Sequence, residues 1–314
     1  MTEPISALVG GARAHDAFVL RSVLEAPWAL AVRDEAPLTV LTAVRGEAWV
    51  LAGPGEPRRV GPGDVALVRG PDPYVVADRP ATRPQVVIHP GQRCTTLEGE
   101  SRAMVGTRTW GTGGPGGTVL LTGTYQRRSE VSERLLSSLP VLAVLEADAS
   151  VAPVVDLLAT EVGRDEPGQE AVLDRLLDLL AIAALRAWFA LRHTAAPGWY
   201  RARTDPVVGP ALDLLQERPA EPWTVAALAR ATCVSRATLA RRFTELTGEP
   251  PIRYLTRLRL DLAADLLRHG DGGLAAVAAE VGYASPFALS TAFTRVRGQS
   301  PAAFRREAVG QVQG

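Results

Sequence analysis

Two stretches of this sequence share one frame. The first reads ARATCVSRATLARRF over residues 229–243, and the second reads AEVGYASPFALSTAF over residues 279–293. Ser, Leu and Phe recur at the same places, fifty residues apart, and each stretch is followed by Thr and then by Gly-x-x-Pro. The kept residues are apolar or helix-capping types, whereas the residues between them differ. This pattern predicts one packing framework used twice with two different outer surfaces.

The first copy predicts a helix-turn-helix motif. Thr224 and Ser235 are predicted N-caps of two short helices, because their hydroxyls can accept from free backbone N–H groups. Gly248 is the predicted end of the second helix. The apolar residues of that helix recur at i, i+4 and i+7 and should face inward: Leu239, Phe243 and Leu246. Two helices joined by a tight turn, the second with an outer face of small and polar residues, are typical of DNA-binding proteins.

The second copy repeats the arrangement. Ser285 is the predicted N-cap, and Pro286 suits the first helical position. The residues predicted to face inward are Leu289, Phe293 and Val296. The two copies are connected by PIRYLTRLRLDLAADLLRHG, residues 251–270. This segment predicts a helix of about 17 residues, roughly 25 Å long. Such a spacer can place two recognition helices about one DNA turn apart, ~34 Å.

The N-terminal part shows a different pattern. From about residue 18 to 98, short apolar runs alternate with Gly and Pro turns, which predicts strands of a small barrel or sandwich. From Ser129 the pattern becomes helical. One uninterrupted helix is predicted from Gln169 to Arg192, with apolar residues over a very wide face. The cover for that face is either the protein's own core or a second subunit. Residues 194–210 are interpreted as a linker.

The last hundred residues resemble the DNA-binding domain of AraC/XylS-type transcription regulators. The matching pieces are ALARATCVSRATLARRF, RLRLDLAADLL, VAAEVGYASPFALSTAF and GQSPAAFRR, which together span about Val207 to Arg306. The segment RRVGPGDVALVRG and the helical EAVLDRLLDLLAIAALRAWFA are similar to the cupin-type sensing part of that family. The resemblance implies an α+β fold: an N-terminal cupin-like β-barrel with following helices, then an all-α domain of two helix-turn-helix motifs joined by a linker helix.

The expected division has three parts: a cupin-like effector-sensing domain (1–128), a helical dimerisation region (129–195) and a DNA-binding domain (207–308). The implied partners are double-stranded DNA, a small-molecule effector and a second copy of the chain, with RNA polymerase as a further candidate. Two alternatives stay open: a cupin enzyme with a DNA-binding appendage, and a DNA-binding protein that needs no effector. No nucleophile–base pair or metal triad is evident, so we expect no enzymatic activity and no cofactor.

Composition agrees with this function. The 314 residues carry no net charge, yet from Arg201 onward 15 arginines exceed 11 acidic residues, which leaves +4 in this part. A mildly basic C-terminal third permits contact with nucleic acid. No apolar run approaches the ~20 residues of a membrane span, and the first residues lack a secretory signal pattern, so we expect no membrane partner and a cytoplasmic protein. Two distant cysteines make no disulfide framework.

Twelve residues are predicted to contact DNA. Arg241 is the candidate for reading guanine, the alternative being a solvated charged face. Arg242 lies nearer the edge and is a candidate for a phosphate contact or a structural ion pair. The full set is Arg236, Ala237, Ala240, Arg241, Arg242, Thr244, Pro286, Phe287, Ser290, Thr291, Thr294 and Arg295.

The predicted effector site is less well defined. Its candidate residues are Trp28, Trp49, Tyr74 and His89, the alternative for the aromatics being plain core. Trp49 and Leu51 stand where cupins often carry paired histidines, so no metal is expected, although Glu56 and His89 leave that open. Cys94 is a candidate redox switch but has no nearby cysteine to resolve it, which favours an inert thiol. Cys233 is interpreted as a small packed residue of the first turn.

Overall fold

The computed structural model describes residues 17–97, 100, 108–111, 114, 116–125, 135–191, 198–269 and 272–312. The described residues divide into two compact units: those between 17 and 125 together with 135–191 form one, and those between 198 and 312 form the other. None of the helices in the described ranges combines the length and apolar character that a membrane span requires.

The first unit contains two six-stranded sheets. Their strands, in chain order, are β1 (Ala17–Leu24), β2 (Ala29–Val32), β3 (Leu38–Arg45), β4 (Ala48–Ala52), β5 (Arg58–Val60), β6 (Val65–Arg69), β7 (Tyr74–Ala77), β8 (Val86–His89), β9 (Arg93–Thr96), β10 (Thr109–Gly111), β11 (Thr118–Tyr125) and β12 (Leu142–Leu145). One sheet has the order β10-β1-β11-β3-β6-β12 and the other has β5-β4-β7-β2-β8-β9. Both sheets supply residues to one buried apolar cluster, as in a barrel or sandwich.

The strand predictions from the apolar runs are confirmed at β3, β4, β6, β7, β8 and β11. The prediction of helix alone after Ser129 is wrong at β12. Residues 142–145 pair antiparallel with β6, because Leu142–Leu145 is a short apolar run whose last three residues are buried in the edge of the sheet. The first part of that predicted helical region, residues 129–134, lies outside the described residues.

Two helices complete the first unit: α1 (Ala152–Glu161) and α2 (Gln169–Leu191). Most of the wide apolar face of α2 is buried in its own unit, against α1 and the first sheet. Gly123 on β11 permits this approach, since a Cβ added there would lie 2.2 Å from Leu177 Cδ1. Part of the face nevertheless stays exposed, at Val172, Leu179 and Leu191.

A polar contact fixes α2 against the sheet. The Tyr125 hydroxyl on β11 donates to Asp178 Oδ1 at 3.2 Å. Burial raises the pKa of Asp178 to about 6, although the Tyr125 hydrogen bond and Arg175 act in the opposite direction. Asp174 is buried one turn earlier on the same helix. In this part of the core the ionised form of Asp178 is therefore penalised.

The second unit is helical. Its helices are α3 (Gly198–Arg203), α4 (Val208–Glu217), α5 (Val225–Ala231), α6 (Arg236–Thr247), α7 (Pro251–His269), α8 (Leu274–Glu280), α9 (Pro286–Arg297) and α10 (Pro301–Val312). The interpretation of residues 194–210 as a linker is wrong for α3, which packs against α4 and α6. Ala202 is fully buried in the first apolar cluster of this unit, and Asp205 accepts from the backbone N–H groups of Val207 and Val208 at the start of α4.

Candidate nucleic-acid interface

The first helix-turn-helix motif consists of α5, a tight turn and α6. Thr224 Oγ1 accepts from Ala227 N at 3.1 Å, and Ser235 Oγ accepts from Thr238 N at 3.1 Å. Both predicted N-caps are therefore confirmed. Gly248 ends α6 with a left-handed φ of 78°, a conformation that glycine adopts without a Cβ penalty.

The inner and outer faces of α6 are separated as predicted. Leu239 and Phe243 are fully buried, and Leu246 packs partly against the same cluster. The Phe243 ring meets the Tyr254 ring of α7 edge-on, with centroids 5.6 Å apart. The opposite face is open to solvent, with Ala240 half-buried and four other predicted residues exposed: Arg236, Ala237, Arg241 and Thr244.

The two adjacent arginines of α6 have different surroundings. The exposed Arg241 guanidinium contacts Glu245 one turn later at 2.8 Å, a surface pair of the kind that contributes little to stability. Arg242 turns toward the start of α4 and pairs with Asp205 at 2.7 Å. That carboxylate raises the pKa of Arg242 through a hydrogen bond and its charge. Arg242 thus joins α6 to the segment before α4, while Arg241 can exchange its partner for another.

The second motif consists of α8, a turn and α9. Ser285 Oγ accepts from Ala288 N at 3.1 Å, Pro286 occupies the first helical turn, and Gly298 ends the helix with a φ of 73°. Leu289 and Phe293 are fully buried. Its predicted outer face carries an exposed Phe287 at 81 %, a half-buried Ser290, and three further exposed residues: Thr291, Thr294 and Arg295.

The prediction that Val296 faces inward is wrong, since this side chain is 53 % exposed. The neighbouring Arg297 takes the inward place at the end of α9. Its guanidinium reaches the buried Asp261 of α7 at 2.8 Å and lies over the Phe293 ring, 5.9 Å from its centroid. An ion pair therefore replaces the third apolar contact that the first motif makes through Leu246.

The repeat is offset by 49 residues before the turn and by 50 after it. Leu228 and Ala229 of α5 are buried, and the corresponding buried residues of α8 are Val277 and Ala278, 49 residues later. The offset of fifty residues that the sequence suggests is therefore wrong by one residue for the first helix of each motif. The left-handed turn residue is Cys233 in the first copy, with φ 56°, and Gly282 in the second, with φ 79°. The second turn is thus one residue longer. Cys233 is exposed and not packed, contrary to the interpretation from sequence.

The second motif and α7 contact the loop that precedes the first motif. A Cβ added to Gly282 would lie 2.5 Å from the Cα of Ala220, in the loop before α5. Arg259, near the middle of α7, donates to the carbonyl oxygens of Pro219 at 2.6 Å and Glu221 at 2.7 Å. Its guanidinium also lies 6.0 Å from the centre of the Tyr283 ring, in the turn of the second motif. With the 19 residues of α7, these contacts fix the relative placement of α6 and α9.

The predicted effector residues do not line one cavity. Trp28 and Tyr74 belong to the buried cluster between the sheets. Tyr74 borders a narrow interior cavity of ≈ 20 Å³, which has room for about one water molecule. Burial and the nearby Asp34 raise the pKa of Tyr74 well above its usual range. Next to Tyr74, the interior that the structure describes is therefore filled by side chains, and an organic ligand there would have to displace some of them.

Trp49 and His89 lie on the opposite face of the second sheet. Their strand neighbours Val50 and Ile88 point into the buried cluster, so these two side chains point away from it. His89 Nε2 lies 2.9 Å from Thr95 Oγ1. Within the described ranges, no three His, Cys, Asp or Glu side chains converge as a metal site. Cys94 is buried on β9, and burial raises the pKa of its thiol, which disfavours the reactive thiolate.

The two units have counterparts among known protein families. The cupin family matches residues 3–190. A helix-turn-helix domain family matches residues 228–307. This range begins within α5 and ends within α10, so it includes nearly all of both motifs. A cupin domain followed by a double helix-turn-helix domain defines the chain as a DNA-binding regulator.

Individual relatives narrow the class. An AraC-like transcription regulator of Streptomyces lividans is 34% identical over 284 residues, covering 88% of this chain and 90% of the relative. Another from Streptomyces antibioticus is 39% identical over 191 residues, covering 60% of this chain and 63% of the relative. A further match is the crystal structure of the DNA-binding domain of AdpA, a global transcriptional factor, in complex with a target DNA. Its sequence is 36% identical to this chain, and the match covers 35% of this chain and 100% of that chain, with a TM-score of 0.33.

The chain belongs to the AraC-like transcription regulators. Its function is to regulate transcription by binding double-stranded DNA.

Proposed function

We propose that the chain is an effector-responsive regulator that reads two adjacent segments of one operator with α6 and α9. The observation that carries the proposal is the pair of capped helices with buried inner faces, held by Arg259 and Gly282 in one arrangement. Each outer face is free of apolar packing and can enter a major groove. The neighbouring motifs then contact successive turns on one side of the duplex.

The first recognition helix reads guanine in this proposal. Arg241 stands on the open face of α6, and a guanidinium can donate two hydrogen bonds to the O6 and N7 atoms of guanine. Its contact with Glu245 is exposed and can be exchanged for the base. Arg236, in the first turn, contacts a phosphate. Arg242 acts through its ion pair with Asp205 and holds α6 in place.

The second recognition helix reads a more tolerant sequence. A hydroxyl group can form a hydrogen bond with either kind of base pair, so Ser290 and Thr291 discriminate less between bases than an arginine does. Phe287 is large, apolar and almost fully exposed, which suits contact with a thymine methyl group. Arg295 contacts the backbone near the end of the helix.

We assign the DNA-reading role to residues 207–308 together with α3, the dimer role to part of 129–195, and the effector role to residues 1–128. The dimer proposal rests on a stripe of α2 at alternating spacings of four and three residues, which is exposed at Val172 and Leu179 and half-buried at Leu176 and Ala183. This spacing forms the seam of a two-helix coiled coil, so the partner is the same helix of a second copy. Sensing, and not catalysis, is the role assigned to the cupin unit.

Mapping of the DNA sites occupied in the cell tests the proposal. The expected result is a small set of sites that share a bipartite sequence, one half with an invariant G·C pair and one half more variable, with centres about one helical turn apart (~34 Å). Binding spread evenly over the genome would contradict sequence-specific regulation. Sites with a single conserved half would contradict the joint use of α6 and α9.

A further inference from the structure

Three basic side chains stand side by side on the outer face of the second sheet. In the register of this sheet, Val32 of β2 pairs with Ile88 of β8, which places the next residues, Arg33 and His89, beside each other. His89 pairs in turn with Arg93 of β9. The backbone N–H of Arg33 donates to the Ile88 carbonyl at 2.8 Å, so the parallel pairing with β8 continues one residue beyond the end of β2. We call Arg33, His89 and Arg93 the basic row.

The basic row borders an open groove of about 420 Å³. Val87 forms an apolar part of the lining, and Leu97, which is 62 % exposed, forms another. Thr95 and Thr96 also line it. The volume is within the range of small-molecule sites, and the lining combines apolar surface with a few polar groups.

Two arginines, Arg33 and Arg93, bring positive charge to the groove. None of the lining residues in the described ranges is acidic, and within the described part of the chain no carboxylate forms an ion pair with Arg33 or Arg93. The Arg guanidinium is suited to a carboxylate, because its planar donors match the two oxygens.

The spacing of the row distinguishes between anions. The strands that carry Arg33 and Arg93 flank β8 on either side, so their backbones are about 9.6 Å apart at ~4.8 Å per strand. A single small oxyanion reaches both guanidinium groups only if both side chains bend inward. Two carboxylates joined by a short apolar chain reach them with the side chains extended, and the chain then contacts Val87 and Leu97.

We propose that this groove binds a small organic dicarboxylate, with one carboxylate on Arg33 and the other on Arg93. The Thr95 hydroxyl and His89 lie between them. Such a ligand would serve as the effector, and only this consequence rests on the proposed function. Binding to the groove itself depends on the named residues and not on DNA.

The test measures binding to the full chain by calorimetry, without DNA. The probes are glutarate, butyrate as the monocarboxylate of similar size, and inorganic phosphate. Glutarate should bind at one site per chain and roughly tenfold more tightly than butyrate or phosphate, because it makes one more charge-assisted contact. Arg33→Gln and Arg93→Gln should each reduce glutarate binding to the level of butyrate. Arg58→Gln, exposed on β5 of the same sheet, is the matched control and should bind glutarate normally.

A second measurement separates loss of the site from loss of the fold. Arg93 is exposed, so the melting temperature of the unliganded Arg93→Gln variant should match that of the natural chain, while its increase upon addition of glutarate disappears. Equal affinities for glutarate and phosphate would overturn the dicarboxylate assignment. Normal glutarate binding by both Gln variants would overturn the site. Because DNA is absent, neither result depends on whether the chain responds to an effector.

Discussion

Replacement of Gly282 by alanine should detach the second motif from the first. The added Cβ would lie 2.5 Å from the Cα and O atoms of Ala220 and 2.8 Å from its carbonyl carbon. These are backbone atoms, so no side-chain rotation can remove the overlap. The φ of +79° at this position adds a second penalty, because a Cβ is unfavourable in the left-handed region.

The cost follows from these two contributions. A left-handed conformation costs a non-glycine residue about 1–2 kcal/mol. Overpacking against a rigid neighbour costs about 1–3 kcal/mol more. The sum, about 2–5 kcal/mol, is a large part of the stability of a domain of this size. Backbone amides of α8 and α9 that exchange through local opening should therefore exchange at least about thirtyfold faster.

Hydrogen exchange of the full chain, followed by mass spectrometry, measures this effect locally. Cys233→Ala is the matched control, since Cys233 holds the corresponding turn position of the first motif and already has a Cβ at φ +56°. Its substitution should change exchange in α5 and α6 little, as expected for an exposed site. Unchanged exchange in α8 and α9 of Gly282→Ala would refute the inference that this turn packs on Ala220.

Three further changes test other parts of the molecule. Arg242→Ala should lower the urea midpoint of the DNA-binding unit without altering base preference, because it removes the ion pair with Asp205; a changed preference would give Arg242 a reading role. Leu179→Arg should convert the proposed dimer to a monomer in sedimentation velocity, since it places a charge at an exposed position of the α2 stripe, and an unchanged sedimentation coefficient would exclude that stripe. Burial raises the pKa of Asp178 to about 6, so the folded state binds a proton that the unfolded state releases, and stability should fall as the pH rises from about 4 to about 6. The expected loss of unfolding free energy over this pH range is about 1–3 kcal/mol. Asp178→Asn keeps an acceptor for Tyr125 and should remove this pH dependence in chemical unfolding. An unchanged pH profile would contradict the assignment of the effect to Asp178.

The double motif could be predicted almost completely because its signals are local. An N-cap such as Ser235 needs only a free N–H two or three residues away, and Leu239 and Phe243 lie on one face by helical geometry alone. The missed features depend on contacts distant in sequence. Val296 is exposed because Arg297 pairs with Asp261, 36 residues earlier, and no periodicity encodes that pair.

The first unit was less predictable for the same reason. Residues 142–145 become a strand because the edge of β6 is available 74 to 80 residues earlier, as their pairing shows. The aromatic residues considered for the effector site were grouped by residue type, but strand alternation separates Tyr74 from Trp49. The basic row is not predictable from the sequence, because it requires the register of β2, β8 and β9. Of its three residues, the sequence pattern indicates only His89 as a candidate.

In the proposed function, the two recognition helices α6 and α9 read DNA differently. Binding of the natural chain, Arg241→Ala and Thr291→Ala to an operator library with each base pair randomised in turn tests this difference. Arg241→Ala should relax the preference at one G·C pair by about 1–3 kcal/mol, while Thr291→Ala should cost less and act in the other half of the site. A uniform loss for Arg241→Ala over all sequences, as expected for a phosphate contact, or a larger loss of preference for Thr291→Ala, would contradict the claim.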